Sequence, residues 1–87
     1  MRLPAILDLG AATPLWTEIC AQRGQPLQLD ASGVERLGGI CLQVLLSAHA
    51  QWRADGMEFS VINASSAFSE ALGLMAASEL GPVEASL

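Results

Sequence analysis

The residue types able to do chemistry are few in this sequence and stand far apart. His49 is the one histidine, and as a general base it would need a nucleophile or substrate group within reach and a second group to orient the ring. The sequence offers no such constellation, and a place near Trp52 on a helically patterned segment reads as a half-buried structural histidine. Cys20 and Cys41 lack C-x-x-C spacing, so they form neither a zinc framework nor a redox motif. They read as free thiols serving as small buried hydrophobes. One histidine with two distant cysteines is too little for a soft metal, and no aspartate-rich loop of calcium type is present. The run Gly33 to Gly39 is rich in glycine, yet it lacks the Lys-Ser/Thr ending of a P-loop and the G-x-G-x-x-G spacing of dinucleotide folds. The expectation is a protein that is not an enzyme, with no cofactor and no metal.

What remains is recognition by surface. The chain has nine acidic residues, four arginines and no lysine, a formal charge of −5, and Arg2, Arg23, Arg36 and Arg53 are scattered along it. Phosphate backbones and anionic membranes are bound through clustered positive charge, so neither nucleic acid nor a membrane surface is an expected partner. Apolar stretches are interrupted by Asp8, Gly39, Gln43 or His49 well before the ~20 residues that a spanning helix needs. Met1-Arg2-Leu3-Pro4 has no long apolar core with a cleavage site, and the expected compartment is the cytoplasm. With 87 residues, of which 52% are hydrophobic and 15% charged, residues 1–87 are expected to fold as one domain.

The elements that position this surface follow from periodicity. Residues 5–9 are a short apolar run ending at Gly10 and read as a strand. Thr13 and Pro14 read as the N-cap and first position of a helix, with Leu15, Trp16, Ile19 and Cys20 on its apolar stripe and Gly24 at its end. Residues 27–31 alternate with period two, which predicts a strand with Leu27, Leu29 and Ala31 on one face. A loop over 32–39 leads to the main core helix, from about Ile40 to Asp55, in which Cys41, Leu42, Leu45, Leu46, Ala48, His49 and Trp52 make two adjoining apolar rows. Asp55-Gly56 signals a turn into a strand over 57–62. Ser65 or Ser66 then caps a helix to about Leu74, and residues 79–83 suit a short edge strand or a turn. The fold class expected is α/β, a small mixed sheet with parallel core strands and helices packed mainly on one face. The less covered sheet face leaves room for a homodimer.

The loop over 32–39 sits after a strand and before the main helix, so its backbone N–H groups project at a helix N-terminus that Gly38 and Gly39 leave uncovered. Such a place suits a partner's carboxylate or phosphate. The competing explanation is that the glycines serve only to let helix and strand approach. Glu35 and Arg36 are either a solvated pair of little consequence or, for Arg36, a bidentate anchor for a carboxylate. The expected partner-binding residues are Ser32, Gly33, Glu35, Arg36, Gly38, Gly39 and Gln43.

Over residues 29–42 the sequence resembles the STAS domain, found in anti-sigma-factor antagonists and in the cytoplasmic tails of sulfate transporters. In that family a strand ends in D-[LF]-S-G-[VL], and four residues later a D-[ST]-[ST]-G segment opens a long leucine-rich helix. Asp30-Ala31-Ser32-Gly33-Val34 matches the first part closely, and the helix from Leu42, the Asp55-Gly56 turn, the strand over 59–62 and the helix from Phe68 follow in family order. The usual first strand is shortened or absent before Ile6. At the position of the family's phosphorylated serine or threonine stands Gly39, flanked by Gly38, Ile40 and Cys41. Without a hydroxyl, this position cannot be switched by a kinase. The resemblance is nearest to single-domain STAS proteins encoded beside chemotaxis histidine kinases, and implies an adaptor that binds the kinase and alters phosphate flow. Other roles within the family are an accessory subunit of a lipid-transport ATPase and an anti-sigma-factor antagonist that binds a serine kinase.

Overall fold

The structure is a computed structural model and describes residues 1–74 together with the backbone of Val83 and Glu84. Its elements in chain order are β1 (Ile6–Leu7), a 3-10 turn (Leu9–Ala11), α1 (Ala12–Cys20), β2 (Leu27–Asp30), β3 (Arg36–Leu37), α2 (Gly39–Ala54), β4 (Phe59–Ile62), α3 (Ser66–Leu74) and β5 (Val83–Glu84). The α/β class with parallel core strands expected from the sequence is present, with the strands divided between two small sheets in place of one mixed sheet. One sheet has the order β2-β4-β5, the other pairs β1 with β3, and every strand pair is parallel.

The two sheets are linked by the N-terminal segment. Arg2 bridges Asp30 at the end of β2, while Ile6 and Leu7 lie opposite Arg36 and Leu37 of β3. The Met1 carbonyl accepts from the Asp30 N–H at 2.8 Å and the Leu3 N–H donates to the Asp30 carbonyl at 2.9 Å. Further along, the Ala5 carbonyl takes the N–H groups of Glu35 and Arg36, and the Leu7 carbonyl takes that of Gly38 at 2.8 Å. β2 and β3 are thus two stretches of chain laddered on one splint.

The core is built from Leu3, Leu7, Leu15, Ile19, Leu29, Leu45, Trp52, Val61 and Phe68. Leu27, Leu29 and Ala31 are all buried, as the alternation requires, and Gln28 between them is exposed. β4 buries Phe59, Ser60 and Val61 in succession, so both of its faces are covered. α1 and α2 pack side by side, with Ile19 and Leu15 of the first and Leu45 and Ala48 of the second inside.

Several expected boundaries shift, each for a local reason. Residues 5–9 do not form one strand: the Asp8 side chain accepts the Ala11 N–H at 3.2 Å, which turns Leu9–Ala11 into a 3-10 turn and leaves Leu9 exposed. That turn runs directly into α1, so the helix starts at Ala12 after Ala11 and Thr13 is not its cap. Trp16, expected on the buried stripe, is 39% exposed. α1 ends at Cys20, and Gly24 closes the turn beyond it with φ +91°. The stretch 32–39 is not all loop, because β3 ladders on β1. α2 starts and stops one residue early, at Gly39 and Ala54, and the third expected strand begins at Phe59 instead of Met57. The cap of α3 is Ser65, whose Oγ accepts the Phe68 N–H at 3.1 Å. Of the last expected element, Val83 falls in β5, and residues 79–82 lie outside the described residues.

Candidate functional site

From Asp30 to Leu37 the chain takes seven steps, while its splint takes five from Arg2 to Leu7, so two extra residues bulge out between β2 and β3. The bulge is the loop carrying Ser32, Gly33 and Glu35. It is shaped by its own bonds: the Ser32 N–H donates to Asp30 Oδ1 at 2.9 Å and the Val34 N–H to the Ala31 carbonyl at 3.2 Å. Donation from the Ser32 N–H, then from its hydroxyl, holds the Asp30 carboxyl below the ordinary carboxylate range. The Val34 side chain turns inward and is buried.

The seven sequence-selected residues are spread along this ridge, Ser32 and Gly33 just past Asp30, and Glu35 and Arg36 held by the Ala5 carbonyl toward Leu37. Ser32, Glu35 and Arg36 are exposed, and Gly33 is half-buried beneath Arg2, whose Nη2 stands 3.1 Å from where a Cβ would be. Past Leu37 come Gly38 and Gly39, and Gln43 one turn of α2 further on. Five residues of splint, about 17 Å along the strand direction, separate the level of Asp30 from that of Leu37. The structure therefore brings these residues onto one edge of the molecule and not to one point.

The two glycines at the start of α2 differ. Gly38 is the N-cap residue in extended conformation, and a Cβ there would lie 3.3 Å from the Leu7 carbonyl oxygen, so a side chain would press strand and helix apart by a few tenths of an ångström. Gly39 is exposed, with nothing within 4 Å of a Cβ. No side chain caps this helix. The first bond into the helix is from the Leu42 N–H to the Gly38 carbonyl at 3.0 Å, so the N–H groups of Gly39, Ile40 and Cys41 have no intrahelical acceptor.

Two residues beside this helix start were not selected from the sequence. Leu9 is 76% exposed and Ile40 is 50% exposed. Two hydrogen bonds hold their elements together, from the Gly38 N–H to the Leu7 carbonyl and from the Cys41 thiol to the Asp8 carbonyl at 3.1 Å. Ile40 could have been found, because it falls outside the two apolar rows of α2. Leu9 could have been found only by reading Asp8 as the cap of a turn.

Elsewhere the reactive residue types are occupied structurally. Cys41 is buried, and burial, then the Asp8 charge, pushes its thiol pKa up. Cys20 is half-buried. His49 packs edge-on against Phe59, ring centres 5.7 Å apart, and with Leu46, Ala50, Arg53 and Ala54 lines a groove on α2 remote from Gly39. No carboxylate, hydroxyl or thiol is among those lining residues. Among the described residues no helix is long and apolar enough to cross a membrane, and no three His, Cys, Asp or Glu side chains gather as a metal site.

A model of the family described as "Mlab, STAS domain" matches residues 1–82. The chain belongs to the STAS domain family. STAS domains are generally non-catalytic modules of protein–protein interaction, and this chain is a STAS-type interaction domain. No curated protein and no solved structure matches it significantly. In this STAS domain α2 starts at Gly39, with Gly38 fitted tightly against β1 before it.

Proposed function

We propose that this STAS domain is a non-catalytic cytoplasmic signalling adaptor that docks on a chemotaxis histidine kinase and modulates phosphate flow from it. The docking edge comprises Ser32, Gly33, Glu35, Arg36, Gly38, Gly39 and Gln43. The observation that carries the reading is the start of α2: it has no side-chain cap, and Gly39 has open space where a side chain would stand. The amides of Gly39 and Ile40, both exposed residues, remain available there to an acceptor on a partner. A glycine at this place also makes docking constitutive with respect to phosphorylation, since no hydroxyl is there to receive a charge. Leu9 and Ile40 add apolar contact beside the polar main chain.

The test is a calorimetric titration of the full chain into the purified kinase, with an Arg36→Glu, Gly39→Arg double variant alongside. Both positions are exposed and Gly39 is unhindered, so the variant folds as the parent does. The expected result is loss of binding by about tenfold or more, as for a central interface residue. Unchanged binding removes the docking edge. Stoichiometric co-purification with an ATPase subunit in place of the kinase replaces the signalling role with the transport-accessory one.

A further inference from the structure

We infer that Ser65 is a positioning residue for the docking loop, an assignment that rests on the docking reading above. Ser65 lies outside the docking edge, at the start of α3, yet three of its bonds are directed at the bulge or the cap. Its N–H donates to the Ala31 carbonyl at 3.1 Å, its Oγ accepts the Phe68 N–H at 3.1 Å, and its hydroxyl proton goes to the Val34 carbonyl at 2.6 Å. The Ala31 carbonyl also takes the Val34 N–H, and the Ala31 N–H donates to the Ile62 carbonyl at 3.0 Å. Residues 31–34 are thereby clasped from the α3 side, while the Ala5 carbonyl holds Glu35 and Arg36 from the splint side. The two surplus residues of the bulge have no ladder partner of their own, so their conformation depends on this clasp. A hydroxyl has one proton to give, and here it goes to Val34 while the oxygen caps the helix. One side chain therefore does two separable jobs.

Substitution separates them. Ser65→Thr keeps donor and acceptor. Ser65→Asp keeps a good N-cap acceptor but, ionised, has no proton for Val34. Amide exchange of the full chain by NMR is the readout. In Ser65→Asp the Val34 and Glu35 amides exchange about tenfold faster, the measure of a lost intramolecular bond, while the Phe68 amide keeps its protection. In Ser65→Thr all three match the parent. Should the aspartate prevent folding, Ser65→Gly serves, since an N-cap tolerates glycine well. Its Val34 amide is then expected to exchange faster by the same factor. Val34 exchange equal to the parent in the aspartate or glycine variant overturns the assignment. The same variants are titrated against the kinase, where Ser65→Asp is expected to bind about tenfold more weakly and Ser65→Thr as the parent does. Faster Val34 exchange with undiminished kinase affinity leaves Ser65 as the clasp of the loop and overturns the docking edge instead.

Discussion

The two ends of α2 are held in different ways. At the C-terminal end side chains do the holding: Trp52 is buried and its indole N–H donates to the Gln25 carbonyl at 2.8 Å. Asp55 accepts from Arg23 at 3.3 and 3.4 Å and from Gln51 at 3.1 Å, fastening the turn after α2 to the loop after α1. At the N-terminal end the Gly38 N–H and the Cys41 thiol donate to carbonyls of residues 7 and 8, and no side chain caps the helix. A buried indole can only stabilise the fold, because it touches nothing outside it. Uncapped amides beside an exposed glycine contribute nothing to the fold, and are the groups a partner can use. The helix therefore separates a stability end from a recognition end.

The sharpest way to break this division is Trp52→Ala. It removes a ring packed against Phe59, centres 6.0 Å apart, together with the bond to Gln25. A loss of about 3–5 kcal/mol is expected, a large part of the ~5–15 kcal/mol of a small domain. Urea unfolding followed by circular dichroism measures it. If the folded fraction still binds the kinase with parental affinity, the two ends are independent. An affinity that falls with Trp52 would mean that recognition extends along the whole helix.

A finer contrast lies within the recognition end. Gly38→Ala forces a methyl to 3.3 Å from the Leu7 oxygen, an atom fixed by its own bond to the Gly38 N–H, and about 1 kcal/mol of destabilisation is expected. Gly39→Ala meets nothing and replaces a poor helix former at the first helical position, so a gain of up to about 1 kcal/mol is expected. Opposite shifts in urea midpoint at adjacent glycines would establish that one serves packing and the other does not. Equal shifts would remove the distinction on which the open helix start depends.

How far the sequence carries the fold can be read from the same residues. Period-two burial at Leu27, Leu29 and Ala31 and the helical rows through Cys41, Leu45, Ala48 and Trp52 were legible, because each reflects one apolar face against one core. β3 was not, since two residues leave no periodic trace and its partner, the N-terminal segment, is some thirty residues away. Glycine content pointed to the start of α2, yet only the distance to Leu7 separates Gly38 from Gly39. Ser65 was legible as a cap, from a serine before an apolar stripe. Its bond to Val34 spans 31 residues and depends on tertiary placement alone.

The smallest effect tests the stability end through pH. Hydrogen bonding from Arg23, then from Gln51, holds the Asp55 carboxyl below its ordinary pKa in the folded chain. A depressed carboxyl contributes stability that is fully present above the unfolded-state pKa and is lost as pH falls through the folded-state value. Asp30 is depressed in the same direction by Ser32, so the parent has an acid-sensitive carboxyl at each region: one fastening the turn after α2, one shaping the docking loop. Asp55→Asn removes the first and leaves the second. Urea midpoints measured from pH 7 down to pH 3 should then fall less steeply in the variant than in the parent, while Asp30, followed by NMR titration, keeps its low pKa in both. A parental slope retained in Asp55→Asn would mean that the Arg23 contact, exposed on both sides, contributes nothing to the fold, and that Trp52 alone anchors that end of α2.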